Sequence, residues 1–393
     1  MWKVDVVTRT GDFEALKDEW TGLADRSPSS TVFQTYEWLH AWWLEVGSHL
    51  IGRKLHIVTV RTEAGELSGI APLMTSYWQG TPLRRLTFLG SGASDYHDLI
   101  AVPDSAEDVS AEVYRHLAAY GGWSIGDFSQ LREGGLWRSL PPAPESGLIY
   151  SDFVLEKCPY LPYPRPQEEA WDLLLKRYSK KMRSHIGYYD RKLRSIYTVQ
   201  CGVVENKADL DDAMGALFEL HLRRWNKRWL PGVLGGARTQ AFHRRVASSF
   251  LERGWLRLHY LLLDDDYQAI LYCFAYRDRT CYYQGGFEPT LARLSLGSVL
   301  TASAIRRSID EGRLEFDFLR GDEPYKERWT QGCSRENLRR VIARRGPIML
   351  PLAGWAHHVE NMIEMRFKDF MHHVYSRESG KKREREQEGE PGK

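Results

Sequence analysis

The sequence predicts an α/β protein with mixed sheets, arranged as two successive copies of one domain. Three observations lead there. Apolar stretches of period two alternate with apolar stripes at helical spacing. The order strand, helix, helix, three strands, helix, strand, helix, strand runs through twice, without obvious sequence identity between the runs. Between them lies a proline-rich stretch, Cys158-Pro-Tyr-Leu-Pro-Tyr-Pro-Arg-Pro. At 393 residues the chain is long enough for two such domains, each expected to have its own core.

In the first run, Lys3-Val-Asp-Val-Val-Thr alternates as a strand, and Asp12 caps a helix filled by Phe13, Leu16, Trp20 and Leu23. After the turn at Ser27-Pro28, a second helix starts at Thr35 and carries Trp38 and Trp42 at helical spacing. Residues 54–61 and 66–74 flank a turn at Gly65 and form a hairpin, and 83–89 is a further strand. A helix at 104–119, a strand at 123–128, a weak helix pattern at 134–140 and a strand from 148 complete the copy. Residues 158–195 then form a connector and a long basic helical stretch. The second copy, 196–347, has helices at 209–225, 239–253, 297–311 and 323–330, and strands at 196–204, 256–263, 267–277, 280–287, 314–319 and 337–343. Beyond it, Leu352, Trp355, Val359, Met362, Ile363, Phe367, Phe370 and Val374 mark an amphipathic helix over 348–378. Such a helix docks on the body, forms a dimer seam or touches a membrane surface. Residues 379–393, highly charged and without apolar residues, are expected to be disordered.

Composition excludes more than it selects. A formal net charge of +2 with 27% charged residues gives no global sign of nucleic-acid binding. The N-terminus lacks the apolar core of a signal peptide, and no run approaches the ~20 apolar residues of a membrane span, so a cytoplasmic protein is expected. Five scattered cysteines without a Cys-x-x-Cys pair argue against a disulfide framework and against zinc, and no metal is expected. Fourteen tryptophans and twenty tyrosines fill large cores or, in part, stack on a sugar-like acceptor.

The chemistry is expected between Thr280 and Trp329. There Gly297-Ser298 opens a helix after a strand and a loop, and a helix N-terminus with a close-approach glycine suits a pyrophosphate, although an ordinary helix cap reads the same way. The corresponding helix of the first copy opens with Asp104-Ser-Ala-Glu107, which would repel phosphate. A phosphorylated donor is therefore expected on the second copy. Asp317 lines the gap between strands or pairs with Arg320 or Lys326. Asp95, His97 and Asp98 follow a Gly90-Ser-Gly92 turn as acceptor base and hydroxyl-binding candidates, or as loop scaffolding. Between Lys176 and Arg194, eight basic residues stand against one acid, as a solvated face or as a phosphate-capturing one.

The element order, with its helix-start glycine after the fourth strand, resembles the GNAT acyltransferase superfamily. Three stretches sharpen the resemblance: Phe33-Gln34-Thr-Tyr36-Glu-Trp38; Gly90-Ser-Gly92 with Asp95-Tyr96-His97-Asp98; and Asp317-Phe-Leu-Arg320-Gly-Asp-Glu323-Pro-Tyr325-Lys326. Together they look like the bacterial CelD/BcsL-like acetyltransferases of cellulose and exopolysaccharide biosynthesis, which are similar to FemAB-like tandem-GNAT proteins. The resemblance covers roughly residues 1 to 345. It implies acetyl-CoA as co-substrate, bound by Tyr283, Gly285, Gly286, Arg293, Gly297, Ser298 and Lys326. The usual phosphate loop, R/Q-x-x-G-x-G/A, appears here as Arg293-Leu-Ser-Leu-Gly297-Ser298, with one additional residue before the glycine. An oxyanion donor is implied among the backbone amides around Tyr283 to Gly285, with Gly285-Gly286 permitting a bulge. Tyr325 is implied as the acid for the leaving thiolate. Asp95 and His97 are the acceptor-base candidates, and Tyr36, Trp38, Tyr96, Asp98 and Arg320 the acceptor-binding ones. The acceptor implied is a small or sugar-linked molecule, with polysaccharide synthase machinery as a possible partner. FemAB-like relatives can instead use aminoacyl-tRNA, an alternative ranked lower because the chain has neither a long coiled-coil insertion nor a broad positive balance. A non-catalytic tandem binding module is the third reading.

Overall fold

A computed structural model describes residues 2–78, 81–226 and 234–344, so the expected helix 348–378 and tail 379–393 lie outside the described residues. The first half contains strands β1 (Lys3–Val7), β2 (Lys54–Leu55), β3 (Ile57–Arg61), β4 (Leu67–Ala71), β5 (Leu73–Tyr77), β6 (Arg84–Phe88), β7 (Ile100–Ala101), β8 (Ile125–Leu131) and β9 (Leu148–Pro162). Its helices are α1 (Thr10–Ala15), α2 (Lys17–Arg26), α3 (Tyr36–Glu45), α4 (Ala106–Ala119) and α5 (Leu136–Ser139). The second half runs α6 (Ala170–Arg177), α7 (Lys180–Ile196), β10 (Val199–Val203), α8 (Leu210–Asn226), α9 (Ala237–Glu252), β11 (Leu256–Leu263), β12 (Asp266–Tyr276), β13 (Arg279–Phe287), α10 (Leu296–Asp310), β14 (Glu315–Asp317), α11 (Pro324–Thr330) and β15 (Ser334–Arg344).

The expected hairpin over 54–74 forms, but it is broken at His56 and at Pro72. Proline cannot donate to a ladder, and at these breaks the ribbon divides. β3 and β4 join a four-stranded sheet in the order β1-β3-β4-β7, while β2 and β5 end an eleven-stranded sheet in the order β10-β11-β12-β13-β14-β9-β15-β8-β6-β5-β2. The long helical stretch 168–194 also breaks, where Ser179 accepts from the Met182 amide at 3.2 Å and starts α7 anew.

Strand pairing crosses between the halves. Segment Cys158–Pro162, expected as part of a connector, is the end of β9, so a boundary at 157 falls inside a strand. Tyr160–Pro162 pair with β14 of the second half, and most of β9 pairs with β15. β15, the last strand of the second half, pairs on its other side with β8 of the first.

The core follows the same plan. Each half has a cluster of its own, but the largest cluster joins α1–α3 to α8, α9, β11 and β12, which replaces the expectation of one core per copy. Trp38 is at its centre. Its ring packs edge-on against Phe242 at 5.0 Å and Phe274 at 5.7 Å, and its Nε1 donates to Ser94 Oγ at 2.9 Å. Trp38→Ala is expected to lower unfolding free energy by about 3–5 kcal/mol in urea titrations. The wild type should unfold in one transition; two separate transitions would contradict the shared core.

Candidate functional site

β13 runs parallel to β14 only at Arg279–Cys281, opposite Glu315–Asp317, and then continues to Phe287 with no strand on that side among the described residues. The carboxyl ends of parallel strands that part in this way leave a crevice. Two adjoining cavities open there. The larger, about 450 Å³, has Tyr282–Gly285 on one wall and Phe318–Arg320 on the other, and is closed by Phe242 and His243 of α9, Trp42 of α3, Arg53 and the loop Ser91–Asp95. The smaller, about 250 Å³, lies at the start of α10 against Ser295–Ser298, Phe287 and Trp329. Tyr282 and Tyr325 line both.

The β13 wall is shaped by a bulge. Tyr272 faces Gln284 and Cys273 faces Tyr282, so Tyr283 is the additional residue. The bulge is thus at Tyr283 and not at Gly285-Gly286. Those glycines serve close approach. A Cβ at 285 would come 2.4 Å from the Tyr282 hydroxyl, and one at 286 would come 2.8 Å from the backbone nitrogen of His221 on α8. Tyr283 turns into the shared core, where its hydroxyl donates to the Ala93 carbonyl at 2.9 Å.

At the small cavity, a short 3-10 segment, Pro289–Leu294, leads to Ser295, which takes φ 51° as the residue before α10. Gly297 and Ser298 line the cavity, whereas Arg293 is exposed on the 3-10 segment and lines neither cavity. A Cβ at 297 would meet only Phe287, at 3.5 Å. The glycine therefore leaves cavity room rather than relieving a clash.

The first half contributes the loop 91–98. Arg320 Nε reaches Asp95 Oδ1 at 2.5 Å and its Nη2 donates to the Gly92 carbonyl at 3.2 Å, while Asn337 of β15 donates to the Asp95 carbonyl at 2.9 Å. Asp95 faces the large cavity. Burial pushes its carboxyl up to about 6, against the pull of Arg320 and Lys326. His97 lines neither cavity: it is stacked on Phe88 at 4.8 Å, and burial lowers its pKa to about 3. Asp98 accepts the amides of Leu99, Leu136 and Trp137 at 2.6–2.8 Å and so holds the start of α5. Tyr96 points inward to Asp317, with its hydroxyl 2.9 and 3.1 Å from the two carboxylate oxygens. Tyr36, stacked on His40 at 4.9 Å, and Trp38 are interior as well.

Asp317 is fully buried and pairs with neither Arg320 nor Lys326. Its partners are Tyr96, the Leu319 amide at 2.8 Å and Arg335 at 3.4 Å. Lys326 lines the large cavity but folds back into its own loop, donating to the Arg320 carbonyl at 2.6 Å and pairing with Glu323 at 2.9 Å. Of the expected residues, the structure gathers Asp95, Tyr283, Gly285, Arg320, Tyr325 and Lys326 at the large cavity, and Gly297, Ser298 and Tyr325 at the small one.

Sequence reasoning missed Trp42, Arg53, His243, Tyr282 and Gln284, which also line the large cavity. His243 is on the buried face of α9, where helical spacing reads it as core. Burial lowers its pKa to about 3, which favours the neutral imidazole, and its Nδ1 is buried without a hydrogen-bond partner among the described residues. Only Tyr282 carried a signal, since strand alternation sets it on the face opposite Tyr283. The arrangement brings together two proton acceptors, Asp95 and His243, the backbone of a parted strand, and two phenol hydroxyls at the junction of two cavities.

Residues 180–327 match a family model described as an acetyltransferase (GNAT) domain. No curated protein matches the chain. Among solved structures, FemX is similar at 10% identity over 86% of this chain and 96% of that one, with a TM-score of 0.57. A conserved protein of unknown function from Bacteroides thetaiotaomicron is similar at 9% identity, over 87% and 100% of the two chains, with a TM-score of 0.57. The C-terminal domain of a putative lysylphosphatidylglycerol synthetase from Agrobacterium fabrum gives 11%, 86%, 93% and 0.52 in the same order. At these identities the likeness concerns the fold alone. The fold is of the GNAT acyltransferase type, and the stretch from α7 into α11, which contains both tyrosines shared by the two cavities, matches the GNAT acetyltransferase domain.

Proposed function

We propose that the protein moves an acetyl or other acyl group from acetyl-CoA to an amine or hydroxyl of a sugar or cell-envelope precursor. The observation that carries this reading is the pair of cavities joined at Tyr282 and Tyr325, one at a helix N-terminus and the other holding Asp95 and His243. The first-turn amides of α10 and the space beside Gly297 suit a pyrophosphate. The donor thioester then reaches the junction, where backbone N–H groups of β13 steady the carbonyl oxygen. Asp95 takes the proton of the acceptor as its nitrogen or oxygen bonds to the acyl carbon. The carbon–sulfur bond breaks, and the Tyr325 hydroxyl gives its proton to the thiolate; a thiol pKa near ~8.5 and a phenol near ~10 suit that transfer. Trp42 in the acceptor wall and the CelD/BcsL-like sequence resemblance support a sugar-linked acceptor, with a polysaccharide synthase as a partner.

One observation favours a second reading, aminoacyl transfer from tRNA. The basic helix α7 packs on α10 and on the 3-10 segment beside the small cavity, where a larger polyanion would also be drawn.

Acetyl-CoA at 100 times its dissociation constant is expected to stabilise the protein by about 2.7 kcal/mol in a thermal-shift titration. Gly297→Glu, for which the structure has room, should keep the unliganded melting point and lose that shift. No shift in the wild type, with a steeply salt-dependent response to aminoacyl-tRNA instead, would move the assignment to the second reading. Because the Asp95 carboxylate must be unprotonated to act, kcat/KM should rise with pH through about 6. Asp95→Asn should remove this limb and lower turnover ~10²–10⁴-fold; a limb retained in the variant would assign the base elsewhere. Tyr325→Phe is expected to lower kcat by at least about 10²-fold with little change in KM; full turnover would remove it as the acid.

A further inference from the structure

Three cations line the large cavity, and two of them are already neutralised. Arg320 is paired with Asp95 at 2.5 Å and Lys326 with Glu323 at 2.9 Å. Arg53 differs. Its guanidinium lies over the Trp42 ring, 5.2 Å from the centroid, with Nη1 buried and without a hydrogen-bond partner, and no carboxylate pairs with it among the described residues. The charged neighbour that acts on it is Arg85, of the same sign and itself engaged by Asp127 at 3.4 Å. Burial and Arg85 both push the Arg53 pKa down, as expected of a cation whose charge is uncompensated. Arg53 as a whole is half-buried, but a fold gains nothing by burying a guanidinium nitrogen that has no partner among the described residues.

We propose that Arg53 binds an oxyanion carried by the acceptor, so that the acceptor has a carboxylate or phosphate in addition to the nucleophile that is acylated. This rests on the assignment of the large cavity to the acceptor. Arg53 does not line the small cavity, which leaves the donor pyrophosphate to α10. The guanidinium fork matches carboxylate and phosphate oxygens in pairs, and the rigid indole beneath it fixes the plane of approach. Gly92 lines the same cavity, whereas the Ser91 hydroxyl beside it is engaged, donating to the Phe88 carbonyl at 2.7 Å. Arg53 is thus a specificity residue that selects anionic acceptors over neutral ones.

The test uses the full chain in a Gly297→Glu background, which removes anion binding at α10, with and without Arg53→Met. Inorganic phosphate and acetate are titrated at ionic strength matched with potassium chloride, with melting temperature and tryptophan fluorescence as readouts. Saturable phosphate binding, weakened at least about 10-fold by Arg53→Met, is expected, along with an unchanged or higher melting point for the anion-free variant. Acetate saturating as well would indicate that a carboxylate suffices; phosphate alone would indicate a phosphorylated acceptor. An anion response equal in the two proteins or absent from both, or a melting point lowered by Arg53→Met, overturns the proposal. Arg53→Lys, which keeps the charge and loses the fork, should bind between the two. The acyl-CoA assignment is read separately: with Gly297 intact, Arg53→Met should keep the acetyl-CoA shift, and loss of that shift from the wild type would sink the donor assignment without touching the phosphate result.

Discussion

The buried carboxylate of Asp317 is the constraint on which the rest of the site depends. Burial raises its pKa and the Arg335 guanidinium pulls it back. Each partner comes from a different segment: the Tyr96 hydroxyl from the first half, the Leu319 amide from the turn after β14, and Arg335 from the start of β15. Leu319 is held at φ 57°, a conformation unfavourable to a branched side chain, and the next residue is the Arg320 that grips Asp95. One charge therefore ties the Phe318–Arg320 wall of the large cavity to the first half's loop 91–98. Removing any single partner would cost more than the pair contributes, because the charge would remain buried.

The two halves use the same frame for different ends. In the first, β6 and β8 are parallel over only Arg85 and Leu86 opposite Ile125 and Gly126, the same kind of parting as between β13 and β14. There the gap is filled by its own loop, with His97 bridging to Leu131. α4 opens with Glu107 and Asp108 in its first turn, whereas the first turn of α10 has no acid. The first half thus lends its loop to the other half's crevice.

Element order was legible in the sequence because amphipathic periodicity records which face of each element is buried. It does not record which strand lies alongside, so the crossed pairing of β9 and β15 left no trace in it. Pro72 was visible, yet the division of one ribbon between two sheets depends on what each piece packs against. In the site, Gly297 and Ser298 were legible because a helix start is a local property. The loop 95–98 was legible only as a polar turn: Asp95 reaches the cavity, while Asp98 is consumed by three amides and His97 by Phe88. Arg53 had no sequence signal, since its distinction is the lack of a carboxylate partner among the described residues.

The crossed strands also set an order for biosynthesis. β8 has its place beside Leu338–Ile342 of β15, so as the ribosome extends the chain, the first half's sheet lacks a neighbour until those residues have emerged. Closing a loop of that length costs entropy that grows only slowly with length, but the wait leaves a strand edge open throughout. The first half of this chain therefore reaches its complete sheet only after the second half has been made, unlike a domain that closes on its own strands.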